Sequence, residues 1–176
     1  VEDGRRFLVR GEGEYDVITQ EPMPPHFAGT SALDSVEYYR AARRRLSANG
    51  VLVQWLPLHL VAPRDARAIV AAVQEVFPET WVALSAGDPT GLVIATPGRL
   101  DPVRRRLAER KLGPRFVLNP AGARLYSGQT PPVTDDRPML EHSGIDRALG
   151  EFRNANALRA HNIKELARLA ARSGRL

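Results

Sequence analysis

The stretch "YDVITQEPMPPHFAGTSALDSVEYYRAARRRLSANGVLVQW", residues 15 to 55, decides the fold. It opens on "YDVIT", whose β-branched content reads as a buried strand. Gln20 and Glu21 end the apolar run. Three prolines (Pro22, Pro24, Pro25), His26 and Gly29 then make an irregular loop, because each proline turns its predecessor away from the helix. "DSVEYYRAARRRLSANG", 34 to 50, reads as a helix. Asp34 or Ser35 is placed to cap it, Val36, Tyr39, Ala42 and Leu46 share one face, and Asn49-Gly50 is expected to stop it. "VLVQWLPLHLV", 51 to 61, then starts as a second strand. Strand, helix, strand in this order predicts two parallel neighbours in an α/β sheet.

Working outward, "RRFLVR" at 5 to 10 is a short strand or helix edge and "GEGE" at 11 to 14 is a turn. "PRDARAIVAAVQEVF", 63 to 77, is a helix whose apolar face is Ala66, Ile69, Val70, Val73 and Phe77, with Pro63 in its first turn. "TWVALS" (80 to 85) and "GLVIAT" (91 to 96) are two strands, expected as an antiparallel hairpin at the edge of a mostly parallel sheet. Another helix is expected from Asp101-Pro102 to about Lys111. The span 112 to 144, rich in proline and glycine, reads as mostly loop. Residues 145 to 172 read as helical, with Leu149, Phe152, Leu158, Ile163, Leu166 and Leu169 as apolar positions.

The 176 residues suffice for one domain with a real core, and the hydrophobic fraction of 43% suits a globular protein. No apolar run reaches membrane-spanning length, and no signal peptide is expected at the start. Without cysteine, thiolate catalysis and zinc–sulfur sites are excluded. The net charge is +5, and residues 145 to 176 carry seven Arg and Lys against three acids. Such a basic segment attracts phosphates or anionic membranes. Basic residues interleaved with stacking aromatics are missing, so nucleic acid is not the expected partner.

Several polar residues interrupt this frame. In open α/β sheets, ligands bind beyond the carboxyl ends of the strands. Glu21 stands there, either as a carboxylate that holds an amine or takes its proton, or as a solvated loop residue. His26 shares its loop. Asp3 and Gly4 form a tight turn with a free carboxylate and backbone amides, which binds a ligand or merely closes on itself. Asp16 lies within the strand and needs a partner. Gln54 breaks the apolar "VLVQWLPL" and must find hydrogen bonds, from a ligand or from the adjacent loop. Tyr39 falls on the apolar helix face, where core packing is its simplest role. "TDDRPMLE", 134 to 141, is the other polar cluster. Its adjacent carboxylates do not make a metal site, and an Asp–Arg pair anchoring the loop fits as well as a substrate-facing role.

Together, "EDGRRFL", "YDVITQEPMPPHFAG", "EYYRAARRRLSANGVLVQW" and "TDDRPMLE" resemble the spermidine/spermine synthase family of aminopropyltransferases. "QWLPL" and "TDDRP" are closest to its bacterial branch that often carries transmembrane helices ahead of this domain. The resemblance covers roughly residues 1 to 141. It implies a Rossmann-like sheet of the class I methyltransferase type with flanking helices, and transfer of an aminopropyl group from decarboxylated S-adenosylmethionine to putrescine or a related amine. That nucleoside is a co-substrate, with no tightly bound cofactor and no metal. The resemblance further implies that Asp3, with Gly4, meets the adenine amino group. Glu21 stands where the family has its catalytic aspartate, Gln54 matches a site-lining glutamine, and Tyr39 falls near a tyrosine that helps hold the amine.

This chain departs from the pattern. Glu21 is one methylene longer than Asp, and the loop's second acid is absent. No GxGxG-like segment exists in the chain; "GEGE" precedes a strand instead of following one. The expectation is therefore the C-terminal half of a synthase-like domain over 1 to 144, followed by a basic helical tail over 145 to 176. A start at Val1 agrees with a fragment. The missing N-terminal half or a second copy is the expected macromolecular partner. Membrane association is expected only through upstream segments, and the location is cytoplasmic or the cytoplasmic domain of a membrane protein. Two competitors remain: a catalytically silent remnant or interaction module, and a methyltransferase using intact S-adenosylmethionine.

Overall fold

The computed structural model describes residues 3–23, 27–85, 90–100, 115–141 and 150–173. The first unit forms as the sequence predicts. Strand β1 (Tyr15–Gln20) and strand β2 (Leu46–Leu56) are parallel neighbours, pairing Val17 with Val51, Ile18 with Leu52 and Gln20 with Gln54. Helix α2 (Val36–Arg45) joins them, after helix α1 (Gly4–Arg10) ahead of β1. In α2, Ser35 takes the cap, accepting from the Tyr38 amide at 3.2 Å. Glu37 in the first turn and Arg43 to Arg45 in the last complement the helix dipole.

This helix ends at Arg45, not at Asn49-Gly50, because Leu46 is buried and already pairs with Tyr15. The register then shifts between Tyr15 and Val17, so that the stretch Leu46 to Val51 bulges against the three residues Tyr15 to Val17 of β1. Gly50 sits in that irregularity. A Cβ there would lie 2.9 Å from the Tyr15 carbonyl oxygen and 2.9 Å from the Leu46 side chain. The glycine permits a close strand approach rather than a helix stop.

The sheet order is β1-β2-β4-β3-β5, with β3 Glu79–Leu84, β4 Gly91–Thr96 and β5 Arg115–Leu118. Among the described residues, only β1 and β2 pair in parallel; the other three pairings are antiparallel. The expectation of a mostly parallel sheet with the hairpin at its edge is thus corrected. Helix α3 (Pro63–Val76) carries the chain from β2 to a β3 of the same direction, but that crossover skips one position. Strand β4 turns back and fills the gap, which puts the hairpin inside the sheet. The span 112 to 144 also holds more structure than expected. It contains β5 and helix α4 (Pro120–Ser127), capped by Asn119 and ended by Gly128 at φ 55°. "RRFLVR" is helical, and Asp3 is its cap, accepting from the Arg6 amide at 2.8 Å. Asp3-Gly4 is therefore a helix start and not a separate tight turn.

The reading of "YDVIT" as a buried strand is corrected as well. β1 is an edge strand in which only Ile18 is buried, and Val17 is 60% exposed. Asp16 points to the surface and accepts from the Ser47 hydroxyl at 2.8 Å. The expected face of α3 is fully buried: Ala66, Ile69, Val70, Val73 and Phe77 join Leu52, Leu56, Val82, Leu84, Val93 and Ala95 in the main core. Trp81, Ala83, Ile94 and Leu100 form a second cluster, with Val51 and Leu92 against it. Strand alternation assigns it to the opposite sheet face.

Helix α5 (Ala155–Arg172) packs along α4 and β5, with Leu158 and Leu166 buried. Its Asn162 is also buried and donates from Nδ2 to the carbonyls of Leu58 (2.8 Å) and Val61 (3.2 Å). An Arg67–Glu165 ion pair fastens α5 to α3. Among the described residues, no helix is long and apolar enough to cross a membrane. The helix expected from 101 to 111 lies outside the described residues, as do His26 and Leu149.

Candidate active site

The carboxyl ends of β1 and β2 carry a buried polar cluster centred on Gln54. This amide is completely buried because its position in β2 faces α2 and the 3-10 turn Ser31–Leu33. Every polar atom of it is engaged. Its Oε1 accepts from the Tyr39 hydroxyl at 3.0 Å and from Nε2 of Gln20, the residue opposite it in β1. Its Nε2 donates to Asp34 Oδ1 at 3.2 Å and to the Trp55 carbonyl at 2.8 Å. Gln20 Nε2 also reaches the Leu33 carbonyl at 2.9 Å, tying the strand end to the loop.

Asp34 is the unusual member. It is 1% exposed, and its Oδ2 has no hydrogen-bond partner among the described residues. Burial pushes its carboxyl up to about 7, with hydrogen bonding to Tyr39 drawing it partly back. The Tyr39 hydroxyl has one proton, which serves Gln54 Oε1 or Asp34. Burial, then the Asp34 charge, holds Tyr39 well above the usual phenol range. Tyr38 lies edge-on to Tyr39 with ring centroids 5.5 Å apart. It is raised by burial, then by Asp34 and by Asp3, which brings the Asp3 carboxylate within electrostatic reach of this rim.

The chain around the rim is clamped by the late polar segment. Arg5 pairs with Asp135 and donates to the Ala32 carbonyl at 3.0 Å. The Arg5 hydrogen bonds hold the Asp135 carboxyl below its ordinary range against partial burial. The Asp135 amide donates to Glu37 at 3.0 Å. Glu141 accepts from the Gly29 amide at 2.8 Å and the Ser31 hydroxyl at 2.9 Å, closing the loop that follows β1. The Asp–Arg anchor read from "TDDRP" therefore exists, but its arginine is Arg5.

Of the residues singled out from sequence, Tyr39 and Gln54 are in direct contact. Asp3 and Gly4 start α1, whose Arg5 is tied to the same rim. Glu21 is exposed, one residue past the end of β1, with no hydrogen bond or ion pair among the described residues. It adjoins Gln20 but stands outside the buried cluster. Sequence reasoning missed Asp34 and Glu141. Asp34 had been one of two possible caps; with Ser35 on the helix, Asp34 turns inward. Among the described residues no group of three or more His, Asp or Glu is placed to hold a metal.

The chain matches no protein-family model. It is 28% identical over 130 residues to polyamine aminopropyltransferase 1 of Pseudomonas aeruginosa, across 72% of this chain. It spans only 45% of that curated relative's length. Its fold is similar to the crystal structure of a probable spermidine synthase from Corynebacterium glutamicum, with TM-score 0.53 and 18% identity. That similarity covers 77% of this chain and 53% of the other. The sequence likeness is thus a distant one to the aminopropyltransferases, at moderate coverage. The fold is mixed α/β, with a central sheet resembling that of a spermidine synthase.

Proposed function

We propose that this chain forms the amine-acceptor side of an aminopropyltransferase-like domain. The group transferred is aminopropyl, from decarboxylated S-adenosylmethionine to putrescine or a related diamine. The observation that carries this reading is the Tyr39–Gln54–Asp34 cluster at the carboxyl end of a parallel strand–helix–strand unit, beside Glu21, in a chain similar to a polyamine aminopropyltransferase. In the proposed reaction the amine nitrogen attacks the methylene carbon next to the sulfonium. The carbon–sulfur bond breaks, its electron pair stays on sulfur, and the amine's proton passes to the Glu21 carboxylate. Asp3 holds the nucleoside from the start of α1. Tyr39 and Gln54 stiffen the wall against which the amine is oriented. Such a domain would work in the cytoplasm, alone or as the cytoplasmic domain of a membrane protein.

A second reading is a silent synthase-like module. The complete burial of Gln54 favours it, with each amide atom already satisfied within the protein. One experiment separates the two. The full-length protein carrying this chain is incubated with decarboxylated S-adenosylmethionine and a panel of diamines, and products are read by mass spectrometry. The transferase reading expects an aminopropylated amine together with methylthioadenosine. No product with any amine would contradict it and leave the silent module.

A further inference from the structure

A second cleft, of about 480 Å³, lies away from the rim, between α3, the end of α4 and α5. Its walls include Arg67, Tyr126, Ser127, Glu165, Arg168 and Arg172. Residues 165, 168 and 172 recur at helical spacing, so their side chains share one face of α5. Arg67 and Glu165 neutralise each other in an ion pair. Arg168 and Arg172 have no hydrogen bond or ion pair among the described residues and are exposed. The wall therefore presents two uncompensated guanidinium groups, one helical turn apart. A guanidinium's fork of donors suits phosphate oxygens, and two of them balance a dianion.

A second observation is independent of charge. Tyr126 is 2% exposed, and its hydroxyl has no hydrogen-bond partner among the described residues. The same holds for Oε2 of Glu165. A buried hydroxyl and a buried carboxylate oxygen left unpaired each destabilise the fold, so a ligand that satisfies them is favoured. The Arg67 guanidinium carbon lies 6.0 Å from the centre of the Tyr126 ring, so all three groups belong to one wall. A ligand hydroxyl between them would donate to Glu165 and accept from Tyr126.

We propose that this cleft binds a small phosphomonoester bearing a free hydroxyl, its phosphate on Arg168 and Arg172 and its hydroxyl between Tyr126 and Glu165. The test is an NMR titration of the chain at fixed ionic strength with inorganic phosphate and with glycerol 3-phosphate. Both probes should saturably shift the amides of 126–130 and 165–172. The exposed pair Arg168→Gln/Arg172→Gln should weaken both at least tenfold without affecting the fold. Tyr126→Phe should weaken glycerol 3-phosphate about fivefold, the worth of one hydrogen bond, and leave inorganic phosphate unchanged. Absent or non-saturating shifts, or shifts unaltered by the double arginine substitution, would overturn the site. Equal responses of the two probes to Tyr126→Phe would overturn the hydroxyl assignment.

Discussion

β1 and β3 are both six residues long, belong to one sheet, and have similar strand-forming composition, yet they live in different surroundings. In β3 five residues are buried; in β1 one is. The cause is sheet order. β3 lies between β4 and β5, with the main core on one face and the Trp81 cluster on the other. Among the described residues of this chain, β1 pairs only with β2 and leaves Val17 exposed. The comparison teaches that strand propensity does not set burial. It also places the polar chemistry: the buried part of the sheet flanks β2 on one side, and the rim groups gather where β2 meets the exposed strand β1.

The largest expected effect tests the buried part of the sheet. Trp81→Ala removes the biggest side chain of the second cluster and should cost about 3–5 kcal/mol in denaturant unfolding. A loss below about 1 kcal/mol would mean that the sheet face opposite the helices is not a true core.

The next effect tests the rim. The Asp34 carboxyl, raised to about 7, keeps its proton in the folded chain, while the unfolded chain releases it near 4. Stability from this group is therefore full below pH 4, is lost as pH rises toward 7, and is level above. The rise from the ordinary carboxylate range to about 7 corresponds to at most about 4 kcal/mol. Asp65, raised to about 6 by burial, adds in the same direction. Asp34→Asn should flatten most of this slope in unfolding midpoints measured from pH 4 to pH 8, and should make the protein more stable than its parent at pH 8. An unchanged slope would remove Asp34 from the buried cluster. The smallest effect belongs to the edge. Val17→Ala should change stability by less than about 0.5 kcal/mol, and a loss as large as that of Trp81→Ala would erase the contrast between the two strands.

Some of this was readable from sequence, for local reasons. The β1–α2–β2 unit follows from β-branched runs flanking an amphipathic segment, and the α3 face from its period. The end of α2 was misread because Asn49-Gly50 serves a strand bulge as well as it would a helix stop. Helix α4 was missed although Asn119-Pro120 and Gly128 are ordinary start and stop signals. Sheet order, and hence the exposure of β1, depends on a crossover that skips a strand, and no local pattern encodes that. In the site, Gln54 and Tyr39 were visible as polar groups in apolar runs. Asp34 was hidden by a tie between adjacent caps, and Glu141 by the 112 residues that separate it from Gly29.

The central claim is that the rim beside β1 and β2 accepts an amine, with Glu21 as its proton acceptor. The most direct test is single-turnover aminopropyl transfer by the full-length protein and its Glu21→Gln form, with putrescine at saturation. The amide fills the same space but cannot take the proton, so the rate should fall about 10²- to 10⁴-fold. Nucleoside binding, measured by calorimetry on the same two proteins, should stay within about twofold, because the proposed mechanism assigns the nucleoside to Asp3 and only the amine's proton to Glu21. Equal transfer rates in the two forms would contradict the account.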